Sequence, residues 1–371
     1  MMEKNEIVVR RASMEDKEAF RRLWQICFGD SDAFCDWFFT HRFRPEYSDC
    51  LTENGALVSC MQAFPYRLSI RGKEIPAAML CGVSTHPEHR KRGYMDQIFR
   101  FEMELLRKEG FLTAAHTPAV LPSYFAYGHL PAADASYLES ECVPSYASHE
   151  GFLIGEKDWE KLYPLYCRFS EKYSGIIKRT LEDHLRKCAD YAADGGKCVV
   201  LTDENDEITG YCFFYLTDTE LIGAEAAAEE GCYGRLAESL FSIAEGRSFS
   251  MKLPPRVVLE YPFAKTVTRP KGVMGLLSVQ GLLQALSLDI PYAFSVTDDV
   301  VKENNGTFFF NGEKTEEAPV FSIDAGHLMQ VLLGYRSLSE LKDEIKRFDE
   351  PAFCEIDRLL PKCNCYIIDE Y

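Results

Sequence analysis

Arg90, Lys91 and Arg92 form the densest basic cluster in the first third of the chain, and Gly93 follows them directly. An apolar stretch, Leu80-Cys81-Gly82-Val83-Ser84-Thr85, runs up to Pro87 before them and reads as a strand. After Gly93 the pattern changes. Met95, Ile98, Phe99, Met103 and Leu106 fall on one face of a helix that runs to Glu109, with Gly110 as its C′ residue. The first backbone N–H groups of a helix lack intrahelical partners, and the dipole is positive there. A diphosphate suits that end, and a glycine without a Cβ lets it approach the backbone.

A second reactive set lies at Ser123-Tyr124-Phe125-Ala126-Tyr127-Gly128. Either phenol, with an ordinary pKa of about 10, can give a proton to a less basic thiolate. A third is the final run Ile367-Ile368-Asp369-Glu370-Tyr371, too apolar for a fraying tail and therefore expected to dock. Phe28 and Trp37 fall on helical core stripes but could also wall a cleft for a cation. His86 and His89 lie in the turn before the basic cluster and read as solvated, with Arg90 disfavouring a charge on His89.

The segment Val83 to Met95 resembles the acetyl-CoA loop of the GCN5-related N-acetyltransferase (GNAT) superfamily, Gln/Arg-x-x-Gly-x-Gly/Ala. Arg90 and Gly93 match, while Met95 departs from the usual small residue. The resemblance implies that acetyl-CoA is held by Val83, Ser84, Thr85, Arg90, Lys91, Arg92, Gly93, Tyr94 and Met95, with a backbone N–H, that of Val83, facing the thioester oxygen. It also implies that Tyr124, with Gly128 four residues on, protonates the leaving sulfur. Other segments resemble the Eis-like (enhanced intracellular survival) branch. There the chain's terminal carboxylate, here on Tyr371, is the expected base. Glu370 would bind a second cationic centre, and Phe28 and Trp37 would line the substrate cleft. Val296-Thr297-Asp298, Asn304-Asn305-Gly306-Thr307 and Leu332-Leu333-Gly334-Tyr335-Arg336-Ser337 resemble the sterol-carrier-like C-terminal domain of that branch.

The 371 residues suggest two or three domains, and 46% hydrophobic content is ample for their cores. No apolar run is long enough to span a bilayer, and the first ten residues hold no apolar signal core, so a cytoplasmic protein without a membrane partner is expected. Fourteen scattered cysteines, among them Cys27, Cys60, Cys81 and Cys212, read as reduced core thiols. Cys363-Asn364-Cys365 lacks a second pair to complete a zinc site, so no metal is expected. A net charge of −17 argues against nucleic acid; it either steers cationic amines or only keeps the protein soluble.

The expected fold class is α/β (α+β): tandem GNAT-like domains with mixed, mostly antiparallel sheets, plus a C-terminal sterol-carrier-protein-like α+β domain. The units are 1–145, which binds acetyl-CoA, then 146–268, a faded repeat, then 269–371. At the place of the phosphate loop the repeat has Ala228-Glu229-Glu230-Gly231, whose carboxylates repel a diphosphate. In the first unit, helices are expected around Phe20 to Phe28 and from Asp32, and hairpins at Asn54-Gly55 and Arg71-Gly72-Lys73. In the rest, helices are expected at Asp158–Lys172, Leu181–Ala192, Gly234–Ala244, Ala325–Leu333 and Leu338–Lys346. The function implied is an acetyl-CoA-dependent N-acetyltransferase acting on a small-molecule or peptide amine, aminoglycoside-like, polyamine-like or lysine. Relatives form rings of six, so a homo-oligomer is expected by analogy. The alternative is a non-catalytic lipid-binding or regulatory protein on the same scaffold; the intact Arg90–Gly93 loop separates the two.

Overall fold

The computed structural model describes residues 6–147 and 150–370. The first unit contains β1 (Ile7–Arg11), α1 (Lys17–Phe28), α2 (Asp32–His41), β2 (Ser48–Glu53), β3 (Ala56–Ile70), β4 (Lys73–Thr85), α3 (Tyr94–Lys108), β5 (Thr113–His116) and β6 (Leu130–Ser140). The second contains β7 (Phe152–Ile154), α4 (Tyr163–Ser170), β8 (Ile176–Ile177), α5 (Leu181–Ala193), β9 (Lys197–Thr202), β10 (Ile208–Leu216), β11 (Glu220–Ala228), α6 (Cys232–Ala244) and β12 (Ser248–Leu253). Then follow β13 (Lys265–Leu276), α7 (Val279–Leu286), β14 (Ala293–Thr297), β15 (Gly306–Phe309), β16 (Phe321–Asp324), α8 (Ala325–Leu333), β17 (Lys346–Arg347) and α9 (Glu350–Leu359).

The two halves share one sheet. Its strands run β1-β2-β3-β4-β5-β13-β6-β12-β11-β10-β9-β7, with β8 against β3. Pairing is antiparallel except between β4 and β5 and between β11 and β12. A smaller sheet, β15-β14-β16-β17, belongs to the C-terminal unit. The expected boundary between residues 268 and 269 thus falls inside β13, which lies between β5 and β6. Neither β6 nor β13 was legible locally. β6 is alanine-rich, and β13 carries Pro270 at an irregularity of its pairing with β6. Tertiary pairing alone makes them strands.

Two further expectations change. The first turns of Asp158–Lys172 are 3-10, and the α-helix starts only at Tyr163, with Pro164 pre-set in its first turn. The expected helix Leu338–Lys346 is a short 3-10 turn followed by β17. The helix lies instead at Glu350–Leu359, where the Asp349 carboxylate accepts from the Ala352 N–H at 3.1 Å and Pro351 opens it.

The last residues dock deeply. Ser174 N donates to Asn364 O at 2.7 Å, and Tyr366 N to Ser174 O at 3.0 Å. Tyr366 and Ile368 join the core of the second half, while Ile367 points the other way into the core shared with the C-terminal unit. Asp369 meets Arg179, whose guanidinium lies 2.7 Å from it and 2.9 and 2.6 Å from the two oxygens of Glu225. All three side chains are at most 2% exposed. Burial alone would raise the Glu225 carboxyl, but Arg179 and the Tyr211 hydroxyl outweigh it and hold it at about 2. Tyr371 lies outside the described residues.

Removing Arg179 strands two buried carboxylates, so Arg179→Leu should cost roughly 3–5 kcal/mol in denaturant unfolding. The linkage has a sign. Because the folded value of Glu225 lies below its ordinary 4.5, its contribution is whole above pH 4.5 and is lost as pH falls toward 2. The wild type should lose stability across that window, and Arg179→Leu should lose far less there.

Candidate active site

Everything at the site follows from how β4 leaves β5. The two strands pair in parallel only over Ala77–Met79 against Thr113–Ala115. β4 then continues to Thr85 with its β3 pairing shifted by a bulge, since Cys60 faces Ser84 but Gln62 faces Cys81. Gly82 sits in that bulge at φ +60°. A Cβ there would come within 2.5 Å of the Trp24 ring, so the position admits glycine alone without displacing α1. Gly82 inside a strand pattern was the signal for this bulge, and the sequence reading passed over it.

The parted strands open a cleft of about 910 Å³. Val83, Ser84 and Thr85 line one side, with Arg90, Lys91, Gly93, Tyr94 and Met95 at one end. Gly93 is the N-cap of α3 at φ +76°, with no side-chain cap and open space where its Cβ would be. An anion can therefore reach the first N–H groups of the helix. Arg90 Nε donates to Thr85 O at 3.1 Å, which ties the loop to the strand. Arg92 turns away from the cleft and pairs with Glu53 at 3.2 Å. His89 is not solvated as expected: its Nδ1 lies 2.7 Å from Glu53, so one carboxylate braces both ends of the basic turn.

Tyr124 also lines the cleft. It lies in the middle of a 3-10 turn, Leu121–Tyr127, closed by Gly128 at φ +70°. That conformation is why a glycine stands four residues after the tyrosine. Burial pushes the Tyr124 hydroxyl up to about 12, so it keeps its proton at neutral pH. The His116 ring stands edge-on to it at 4.2 Å, and His116 Nε2 lies 3.1 Å from His129 Nδ1. Burial pushes both imidazoles down, His129 to about 3, so the pair is neutral. The sequence reading missed this pair. Gly275 makes room for it, since a Cβ there would lie 2.1 Å from the His129 ring. Tyr127 reaches the cleft too, but its ring stacks on Phe99 under Arg100.

Phe28, at the end of α1, is half-exposed and lines the cleft. Trp37 does not. It packs on the core between α1 and α2, with its ring against His41, which corrects its assignment as a cleft wall. Glu370 reaches the cleft, but its carboxylate is taken: Oε1 lies 2.6 Å from Lys252 Nζ and Oε2 3.2 Å from Lys271 Nζ. Burial would raise it, but the two lysines hold it at about 2. It cannot serve as the free anion expected for a second cationic centre of a substrate. Lys252 and Lys271 were missed because a lone lysine in a strand reads as solvated.

Residues 8–132 match the acetyltransferase (GNAT) domain family, and residues 279–365 match the sterol carrier protein domain family. The chain carries a GNAT acetyltransferase domain and a C-terminal sterol carrier protein domain. It is similar over 99% of its length to three crystal structures, each covered in full. One is a GCN5-related N-acetyltransferase from Anabaena variabilis, with a TM-score of 0.80 at 15% identity. Another is a conserved protein of unknown function, a probable N-acyltransferase, from Enterococcus faecalis, with 0.78 at 15%. The third is Eis1 from Mycobacterium abscessus, with 0.76 at 16%. At these identities the likeness is one of fold. No curated protein sequence matches the chain closely. The GNAT match covers the parted strands, the Gly93 helix start and Tyr124.

Gly82→Val tests the bulge. The added side chain must displace Trp24, so the variant should lose about 1–3 kcal/mol of stability by overpacking. It should also lose affinity for CoA in calorimetric titration, because the edge beyond the bulge no longer holds its course.

Proposed function

We propose that the protein transfers an acetyl group from acetyl-CoA to the nitrogen of a small-molecule or peptide amine. The observation that carries this is the parting of β4 from β5, with a free helix N-terminus at one end and a protonated tyrosine in the same cleft. The residues suit the cofactor: β4 has unpaired backbone beyond Met79, α3 begins at an uncapped glycine, and Arg90 and Lys91 flank it. Acetyl-CoA, when bound, supplies the acetyl group as a reactive thioester.

The chain's residues then divide the work. The N-terminal N–H groups of α3, with Arg90 and Lys91, hold the diphosphate. The exposed edge at Val83–Thr85 hydrogen-bonds the extended arm as a neighbouring strand would, and the Val83 N–H faces the carbonyl oxygen where charge develops. Tyr124 holds a proton at its hydroxyl and delivers it to the departing sulfur. Burial, which raises this phenol to about 12, keeps it protonated and ready at neutral pH, and the proton passes to sulfur as the C–S bond breaks rather than to a free thiolate afterwards. Neutral His116 fixes the phenol ring from the side. Phe28 covers the mouth. The docked tail carries Glu370 to the cleft, and Tyr371 beyond it is proposed to supply the base for the incoming ammonium.

Tyr124→Phe should lower kcat by about 10²–10⁴-fold in a thiol-release assay with acetyl-CoA and a panel of amines, with little change in CoA binding. Full activity in that variant would remove the assigned acid. Arg90→Ala should weaken CoA on the order of tenfold, more at low salt than at high salt.

A further inference from the structure

The close pair Cys363 and Cys365 has no part in the cleft, yet the fold builds it a place. The chain here runs from the end of α9 into the docked tail. Side chains alternate along an extended segment, and this one follows the rule. Cys365 and Ile367 enter the core shared with the C-terminal unit and Cys363 packs against it, while Tyr366 and Ile368 face the other way. Both sulfurs therefore lie on one side of the backbone. Both cysteines also line a cavity of about 420 Å³, with Arg256, Arg336 and Lys362 in its wall. Gly334 leaves Cys363 its space, since a Cβ there would stand 2.7 Å from the sulfur. Arg71 is fixed nearby, donating to Leu332 O at 2.8 Å and to Val331 O and Pro361 O at 2.9 Å, and its charge acts on both thiols. A fixed cation beside an accessible thiol favours the thiolate, the form that attacks a disulfide. Cys363 is half-buried, whereas Cys365 is buried and its thiol is pushed up to about 12 by burial. Cys363 is thus the thiol that reacts first, and Cys365 the one that follows.

Cys365 lies between the two hydrogen bonds that seat the tail, Ser174 N to Asn364 O and Tyr366 N to Ser174 O. Its own Sγ donates to Leu333 O at 3.6 Å. Two extended residues span about 7 Å at most, whereas the Cα atoms of a disulfide stand about 5.5–6 Å apart. Closing a bridge therefore draws Cys365 back by about 1 Å and loosens its seat on Ser174. We propose that Cys363 and Cys365 are a reversible dithiol, closed to a disulfide by small disulfides, and that closure shifts the tail out of its place at the cleft. In the first step the Cys363 thiolate attacks one sulfur of the small disulfide, whose S–S bond breaks and releases one thiolate. Cys365 then loses its proton, attacks the Cys363 sulfur and expels the second thiolate. The protein gives up two electrons and two protons, and the small disulfide becomes two thiols. The effect on acetylation rests on the function proposed above, in which the tail carries the base; the disulfide itself does not.

Oxidised glutathione is the probe, used on the full chain carrying Cys142→Ser and Cys354→Ser, which removes the two thiols exposed among the described residues. Cleavage after Lys362 yields Cys363–Tyr371, a peptide with these two cysteines and no others. Its expected mass after oxidation is lower by two hydrogen atoms, and dithiothreitol restores it. In the oxidised protein, amides of Ile367–Glu370 exchange at least about tenfold faster, and kcat for amine acetylation falls on the order of tenfold to a hundredfold, the scale of a misplacement of about 1 Å. Cys363→Ser abolishes all three responses. A peptide that stays reduced or carries only glutathione would overturn the proposal, and so would a closed bridge with unchanged tail exchange. If reduced protein binds acetyl-CoA but acetylates no amine, the function proposed above fails, and the peptide mass and the tail exchange still decide this inference.

Discussion

The structure depends on one pair of strands that stop pairing. β4 and β5 hold together for three residues and then diverge, although both are flanked by partners on their outer sides. Unpaired backbone polar groups inside a protein are costly, so such an edge is kept only where something else will bond it. The bulge at Gly82 forces the divergence, and Trp24, packed where a Cβ would stand, keeps the bulge from closing. The basic loop before Gly93, Tyr124 and the neutral histidine pair are arranged around that opening. A straight β4 would leave none of them facing a cleft.

The second half answers the same problem with its own chain. There β11 and β12 pair in parallel from Glu220 to Gly223 and then separate. The carboxylate of Glu225, just past the split, is held by Arg179, and Lys252 of β12 donates to Ile368 O. Residues 366–370 thus lie against the parted strands of the half that has no basic loop. This gives the second half a physical role: it anchors the tail and aims its end at the first half's cleft. Buried ion pairs add little net stability once desolvation is counted, but they tolerate few alternative arrangements. A tail held by apolar contacts alone could slide; one held by Arg179, by Lys252 and by Lys187, whose Nζ donates to Glu370 O at 2.6 Å, cannot do so without uncovering charge.

Sequence patterns with strong local signals were legible. The helix after Gly93, the α1 stripe, the hairpins and the docked tail stand where periodicity and turn chemistry put them. The parts that failed are those whose meaning comes from distant partners. β6 and β13 are strands because they pair with each other, and nothing in Leu130–Ser140 favours extension by itself. Trp37 shares a helical stripe with core residues and goes to the core. Glu370 looked like a free carboxylate, but its two lysines come from positions 252 and 271, more than a hundred and nearly a hundred residues away.

The most direct test is amide hydrogen exchange across β4 with and without CoA. If the parted edge is completed by the cofactor's extended arm, amides at Val83–Thr85 and at Tyr94–Asp96 slow by at least about tenfold on binding, while those of β11 beyond Gly223, already covered by the tail, do not change. Unchanged exchange along Val83–Thr85 in CoA-saturated protein would contradict the account, because the opening would then have some other purpose.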